Sequence, residues 1–183
     1  MDFIPTGLPE VMRIAPRVFE DDRGFFMETW RADAYKRAGI NLEFVQENVS
    51  HSVRRYTLRG IHYQLKQPQG KLVRVAHGEV YDVAIDLRRS SPTYLRWVGV
   101  HLSALNKNLL WIPPGFGHAF LVLSEEATFE YKCTDYYAPS HERTIRWDDP
   151  KIAVPWPLPA GRTPVLSQKD AHAPLSTEVE TFE

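Results

Sequence analysis

A chain of 183 residues with 43% hydrophobic and 25% charged residues has ordinary globular composition and is long enough to bury a core without disulfide or metal staples. Its formal net charge of -1, with both signs interspersed, excludes the basic footprint of a nucleic-acid binder. The single cysteine, Cys133, excludes an intramolecular disulfide and fits a reducing, cytoplasmic compartment, while the lack of a long apolar run or a basic-then-apolar N-terminus predicts neither a membrane span nor a signal peptide.

Five Trp, eight Tyr and nine Phe, with 14 Pro and 10 Gly, predict many short strands joined by turns. A strand is expected at Phe25–Thr29 after the turn Asp21-Asp22-Arg23-Gly24, then a helix over Arg31–Ala38 that Gly39 stops. Strands follow at Glu43–Ser50 and Tyr56–Gln64. Lys71–Leu87 reads as one long hairpin turning at His77-Gly78-Glu79, its second arm alternating Tyr81, Val83, Ile85 and Leu87 against Asp82, Ala84 and Asp86. Further strands fit Arg96–Leu102, Leu109–Ile112, His118–Leu123 and Thr128–Thr134. From about residue 149 the tail is Pro-rich and is expected to wrap the surface, with a short helix over Gln168–Ala171. Strand spacings of about ten residues predict an all-β jelly-roll barrel with a few short peripheral helices, one domain spanning residues 1–183.

The segments Leu58-Arg59-Gly60-Ile61-His62-Tyr63-Gln64 and Gln69-Gly70-Lys71-Leu72-Val73-Arg74-Val75 place an imidazole and an ammonium on successive strands. A base beside a fixed cation is what proton abstraction next to a carbonyl requires, because the cation holds the enolate oxygen that develops. Strict alternation would put Arg59 and His62 on opposite faces, so both can face inward only if a bulge at Gly60 resets the parity. Pro113-Pro114-Gly115-Phe116-Gly117-His118 resembles the Pro-Gly-x-x-His segment of cupins, in which that His would ligate a metal. The matching His-x-His and Glu are missing, since His62 is followed by Tyr63, Gln64 and Leu65. Two ligands are too few for a tight divalent site, so a metal-free barrel is expected. Asp82 and Asp86 are unusual on an inward face, where a carboxylate must be paired or wetted, and Asp82 is one candidate partner for His62.

Asp22-Arg23-Gly24-Phe25-Phe26-x-Glu28, Phe44-Val45-Gln46-x-Asn48-x-Ser50, Leu58-Arg59-Gly60-x-His62, Gly70-Lys71-Leu72-Val73-Arg74 and Gly78-Glu79-Val80-x-Asp82-Val83 follow in order. Ser91-Pro92-Thr93, Trp111-Ile112-Pro113-x-Gly115-Phe116-x-His118, Tyr136-Tyr137-x-Pro139 and Lys169-Asp170-Ala171 complete the series. Together they resemble the dTDP-4-dehydrorhamnose 3,5-epimerases, from about residue 10 to about residue 175.

The resemblance implies a cofactor-free, cupin-like jelly roll, usually a homodimer, that inverts carbons 3 and 5 of a dTDP-linked 4-keto-6-deoxyhexose. By that resemblance His62 is the general base, Asp170 its partner, Tyr131 the acid on the opposite face of the sugar and Lys71 the enolate stabiliser. Arg23, Glu28, Gln46, Asn48, Arg59, His118, Glu142 and Lys169 match positions that line the nucleotide-sugar site, with Arg23 and Glu28 supplied by the partner chain. The alternatives are inversion at carbon 3 or carbon 5 alone, a sugar ketoisomerase, a non-catalytic sugar-binding cupin and a metal-dependent cupin dioxygenase. The residue types suit the first reading. Inversion needs a proton removed from one face and another delivered to the opposite face, and both carbons flank one ketone. An ordinary imidazole is mostly neutral at neutral pH and an ordinary phenol is protonated there.

Overall fold

A computed structural model describes residues 1–183, and its strands form two antiparallel sheets and a separate ribbon. The strands are β1 (Asp2–Pro5), β2 (Met12–Ala15), β3 (Val18–Asp21), β4 (Gly24–Met27), β5 (Gln46–Ser52), β6 (Leu58–Gln64) and β7 (Lys71–His77). They continue with β8 (Glu79–Asp86), β9 (Trp97–Ser103), β10 (Leu109–Ile112), β11 (Phe116–Val122), β12 (Ala127–Cys133) and β13 (Glu142–Thr144). Two short α-helices, α1 (Ala32–Arg37) and α2 (Gln168–Ala171), and a 3-10 turn at Pro139–His141 complete the set. One sheet runs β1-β2-β10-β7-β12-β5, the other β13-β6-β11-β8-β9, and β3-β4 pair only with each other. This is the expected jelly roll.

The two sheets close over a shared core. Val73, Val75, Leu110, Ile112 and Phe129 of the six-stranded sheet pack with Val80, Ala84, Leu102, Phe116, Phe120 and Val122 of the other. The outer face of the five-stranded sheet is also covered, because Ile61, Tyr63, Val83, Ile85 and Ala119 pack with Ile145, Ile152, Val154, Trp156 and Phe182. That second cover explains why every residue of β11 is buried, and why apolar residues fall on both of its faces. The Pro-rich tail supplies Ile152, Val154, Trp156 and Phe182 to this outer core.

Two features of the backbone differ from the local sequence pattern. Lys71–Leu87 is not a hairpin: β7 lies between β10 and β12 in one sheet, and β8 between β11 and β9 in the other. The turn at Gly78 is a corner between sheets. Gly78 has φ +79°, and a Cβ there would lie 2.2 Å from the Glu126 carbonyl, so this corner takes glycine. The strand expected from Glu43 begins at Gln46 and runs on to Ser52, while the one expected from Tyr56 begins at Leu58. Strands β1, β2, β3 and β13, each of three or four residues, gave no periodic signal long enough to read.

The parity reset expected at Gly60 is present. Opposite β11, His62 pairs with His118 and Arg59 with Phe120, so three steps along β6 match two along β11. Gly60 sits in the bulge with φ +114°, its missing Cβ replaced by contact with β11, where a built Cβ would lie 2.5 Å from the His118 carbonyl. Arg59 and His62 therefore line the same cavity.

Candidate active site

A cavity of about 460 Å³ opens between the two sheets. The five-stranded sheet contributes Arg59 and His62 from β6 and His118 and Phe120 from β11. The six-stranded sheet contributes Ser50 from β5, Lys71 from β7, and Phe129 and Tyr131 from β12. The tail adds Ser167, Lys169 and Asp170 around the start of α2. The base and the acid named from sequence thus come from opposing sheets, with Lys71 on the acid's side.

His62 Nε2 lies 2.5 Å from Asp170 Oδ1. With Nε2 engaged by the carboxylate, Nδ1 is the ring nitrogen left outside the pair. Asp170 is 3% exposed, and burial alone would raise its pKa. Hydrogen bonds from His62 and Ser167, with the charges of His62 and Lys169, more than offset that and hold it below the ordinary carboxylate value. Asp82 does not partner His62. Its two oxygens lie 3.1 and 2.9 Å from Nε2 of His118, and both residues are buried. The cavity wall thus carries two separate His–Asp pairs, with His62 and His118 side by side in register.

Burial pushes the Lys71 ammonium below its ordinary pKa, with Cys133, Asp82 and Glu142 partly opposing the shift. Burial pushes the Tyr131 phenol above its ordinary value, which keeps it a proton donor through the neutral range. Arg59 is tied down by Nε donating to Ser52 Oγ at 3.2 Å and Nη2 donating to the His51 carbonyl at 3.2 Å.

The other residues named from sequence divide into two groups. Gln46, Asn48, Glu142 and Lys169 form a bonded network of which Lys169 alone lines the cavity: Gln46 Nε2 donates to Asn48 Oδ1 at 3.0 Å, Lys169 Nζ lies 2.9 Å from Glu142 Oε1, and the Tyr137 hydroxyl donates to Glu142 Oε2 at 3.3 Å. The Tyr137 amide donates to Gln46 Oε1, which joins the two halves. Arg23 and Glu28 lie elsewhere. Arg23 sits at the tip of the β3–β4 ribbon, 89% exposed and paired with Asp21. Glu28 lines an outer groove of about 850 Å³ with Phe19, Phe26 and α1 residues. No group of three or more His, Cys, Asp or Glu is placed to hold a metal ion.

Residues 5–178 match the sequence model of the dTDP-4-dehydrorhamnose 3,5-epimerases. The chain belongs to that family. A Pseudomonas aeruginosa dTDP-4-dehydrorhamnose 3,5-epimerase is 52% identical over 177 residues, 96% of each chain. The crystal structure of a Legionella pneumophila dTDP-6-deoxy-D-glucose-3,5-epimerase in complex with dTDP-4-keto-L-rhamnose superposes with a TM-score of 0.94 at 49% identity, covering 98% of this chain and 94% of that one. A 3'-monoepimerase from Streptomyces bikiniensis in complex with dTDP-quinovose is more distant, with a TM-score of 0.87 at 32% identity, covering 94% of this chain and 87% of that one.

The epimerase fold also brings in residues that sequence reasoning passed over. Phe120 and Phe129 stack at 4.2 Å between ring centroids and form the apolar floor of the cavity. Ser50 Oγ is buried in its wall without a protein partner. Ser50 ends the segment Phe44-Val45-Gln46-x-Asn48-x-Ser50, but a serine on a strand carries no chemical signal of its own. Ser167 was legible as the start of Ser-x-x-Asp, a helix N-cap pattern that predicts a short helix and says nothing about catalysis.

Proposed function

We propose that this epimerase converts dTDP-4-dehydro-6-deoxy-D-glucose to dTDP-4-dehydro-L-rhamnose by proton exchange at carbons 3 and 5. The observation that carries the reading is His62 and Tyr131 facing one cavity from opposite sheets. Facing sheets stand about 10 Å apart, enough for a hexose ring to lie between a base on one side and an acid on the other.

In this mechanism His62 takes the proton from carbon 3, and the electron pair moves onto the carbon-4 oxygen as an enolate. Lys71 donates to that oxygen. The enolate collapses by taking a proton from Tyr131 on the opposite face, which inverts the carbon, and the imidazolium and phenolate then re-equilibrate with solvent. Carbon 5 flanks the same ketone, so the same oxyanion stabiliser serves the second inversion. Asp170 holds the His62 tautomer and stabilises the imidazolium, as the carboxylate of a catalytic triad does. Arg59, His118, Lys169 and the Gln46, Asn48 and Glu142 network joined to Lys169 bind the nucleotide sugar, the arginine and lysine serving its diphosphate.

The reading includes a homodimer. The β3–β4 ribbon pairs with neither sheet and leaves Phe25 56% and Phe26 70% exposed, an apolar surface suited to docking on a second copy. That docking would carry Arg23 and Glu28 to the partner's site. A cytoplasmic location accords with the single, unpaired, buried Cys133, and no helix is long and apolar enough to cross a membrane.

Proton NMR of the substrate in deuterated water tests the reading, with wild type and with His62→Ala. Deuterium at carbons 3 and 5 with wild type alone, and reduction of the product to the rhamnose configuration by a ketoreductase, are expected. Deuterium at a single carbon would reassign the chain to mono-epimerisation. No exchange at either carbon would overturn the reading.

A further inference from the structure

Ser167 makes two hydrogen bonds to one residue. Its hydroxyl accepts from the Asp170 amide at 3.1 Å and donates to Asp170 Oδ2 at 2.9 Å, while the other carboxylate oxygen, Oδ1, is engaged by His62. We propose that Ser167 is a positioning residue for the epimerisation: it locks the Asp170 carboxylate in the orientation that aligns the His62 imidazole, making a Ser167–Asp170–His62 chain. The inference rests on the reading of His62 as the base.

The surrounding backbone explains why such a lock is needed. Asp170 belongs to a tail segment 108 positions from His62, and that segment is fastened to the start of β6 at residue 165. There the Leu58 amide donates to the Val165 carbonyl at 2.9 Å and the Val165 amide donates to the Tyr56 carbonyl at 2.8 Å. Helix α2 follows with four residues, far too few for a helix to hold its shape alone. Val165 sets where the segment lies, but it does not set the rotation of the Asp170 side chain. Asp170 is 3% exposed, so solvent is poorly placed to satisfy an oxygen that loses its partner. With Ser167 removed, Oδ2 is left buried and unpaired, and the carboxylate is free to turn away from His62. An aspartate at 167 would cap the helix equally well, but it would set a second negative charge beside Asp170. Serine supplies both the cap and a neutral donor.

The test is steady-state kinetics of full-length Ser167→Gly and Ser167→Thr beside His62→Ala, Asp170→Asn and the double variant Ser167→Gly/Asp170→Asn. Glycine is tolerated at an N-cap, so this variant removes the donor with little damage to the helix. Ser167→Gly should lower kcat about tenfold with KM unchanged and only a small drop in Tm, the enzyme staying folded at the assay temperature, and Ser167→Thr should restore most of it. In the double variant the serine change should add little, because no carboxylate remains to be held. Wild-type kcat in Ser167→Gly, a loss confined to KM, a loss fully accounted for by the fraction unfolded at the assay temperature, or full additivity with Asp170→Asn would each overturn the inference. If His62→Ala is inactive while Ser167→Gly is normal, this inference alone fails. If His62→Ala retains full activity, the base assignment fails and the inference goes with it.

Discussion

Asp170 Oδ1 lies 2.5 Å from His62 Nε2 although 108 positions separate the two residues. The contact joins a strand of the five-stranded sheet to a four-residue helix in the C-terminal tail. An amide at position 170 can still hydrogen-bond the ring, but it stabilises neither the imidazolium nor a single tautomer. Asp170→Asn should therefore lower kcat by about 10²–10³-fold with a small change in KM, measured by coupled assay with a ketoreductase.

In the proposed mechanism Tyr131 and His62 act on opposite faces of the sugar, so their loss should be separable. Tyr131→Phe keeps the base and the enolate stabiliser but has no acid to deliver a proton from the far side. Product formation should fall by about 10²–10³-fold. Deuterium should still wash into recovered, uninverted substrate, returned from the His62 face. NMR of the recovered sugar in deuterated water reads both outcomes.

Lys71 is expected to act on the transition state more than on binding. In the proposed mechanism its ammonium meets a full negative charge only as the enolate develops, so Lys71→Gln should reduce kcat by about 10²-fold and leave KM within a few-fold. A loss appearing mainly in KM would place Lys71 with the diphosphate instead.

Gly60 carries both the bulge and a close backbone approach. At φ +114°, a Cβ would meet the His118 carbonyl at 2.5 Å and the Ala119 Cβ at 2.7 Å, and both neighbours belong to a fully buried strand. Gly60→Ala should cost about 2–4 kcal/mol by urea unfolding. It should also lower the activity of the protein that remains folded, because the bulge sets the parity of Arg59 and His62.

Asp86 supplies an acid-sensitive stabilisation remote from the chemistry. It is fully buried and accepts hydrogen bonds from Arg88, Ser91 and Thr93. Burial raises its pKa, but these partners outweigh burial and bring it down from 3.8 to about 2. A depressed carboxylate stabilises the fold above its unfolded value and loses that contribution as pH falls through the folded one. Between about pH 5 and pH 2 the protein should lose about 2 kcal/mol through this group. Asp86→Asn should be less stable at neutral pH by about 3 kcal/mol and lose less on acidification. Denaturant midpoints at several pH values check both.

Much of the fold was legible because the signals are local. The helix at Ala32–Arg37 is bounded by Gly39, β10 was read at Leu109–Ile112, and the run Gln168–Ala171 is the helix expected there. The need for a bulge at Gly60 was also legible, since a period-2 strand cannot put Arg59 and His62 on one face without an extra residue. Partners were not legible in the same way. Lys71–Leu87 has the alternation and the glycine turn of a hairpin, yet its arms belong to different sheets, because pairing is decided by what else arrives at each edge.

The choice between Asp82 and Asp170 as the partner of His62 shows the same division. The sequence by itself determined the chemical inventory: an imidazole, an ammonium, a phenol and carboxylates, set in motifs that resemble one family of epimerases. The alternation of β8 set Asp82 on the face opposite Val83 and Ile85, without deciding which face meets the cavity. Only the tertiary structure decided which carboxylate meets which histidine. Asp82 lies across a strand pair from Phe120, close enough to reach the neighbouring His118. The tail docks on β6 through Val165 and delivers Asp170 to His62. Spacing along a chain constrains only near neighbours, whereas a contact across 108 positions depends on every packing and hydrogen-bonding choice made in between.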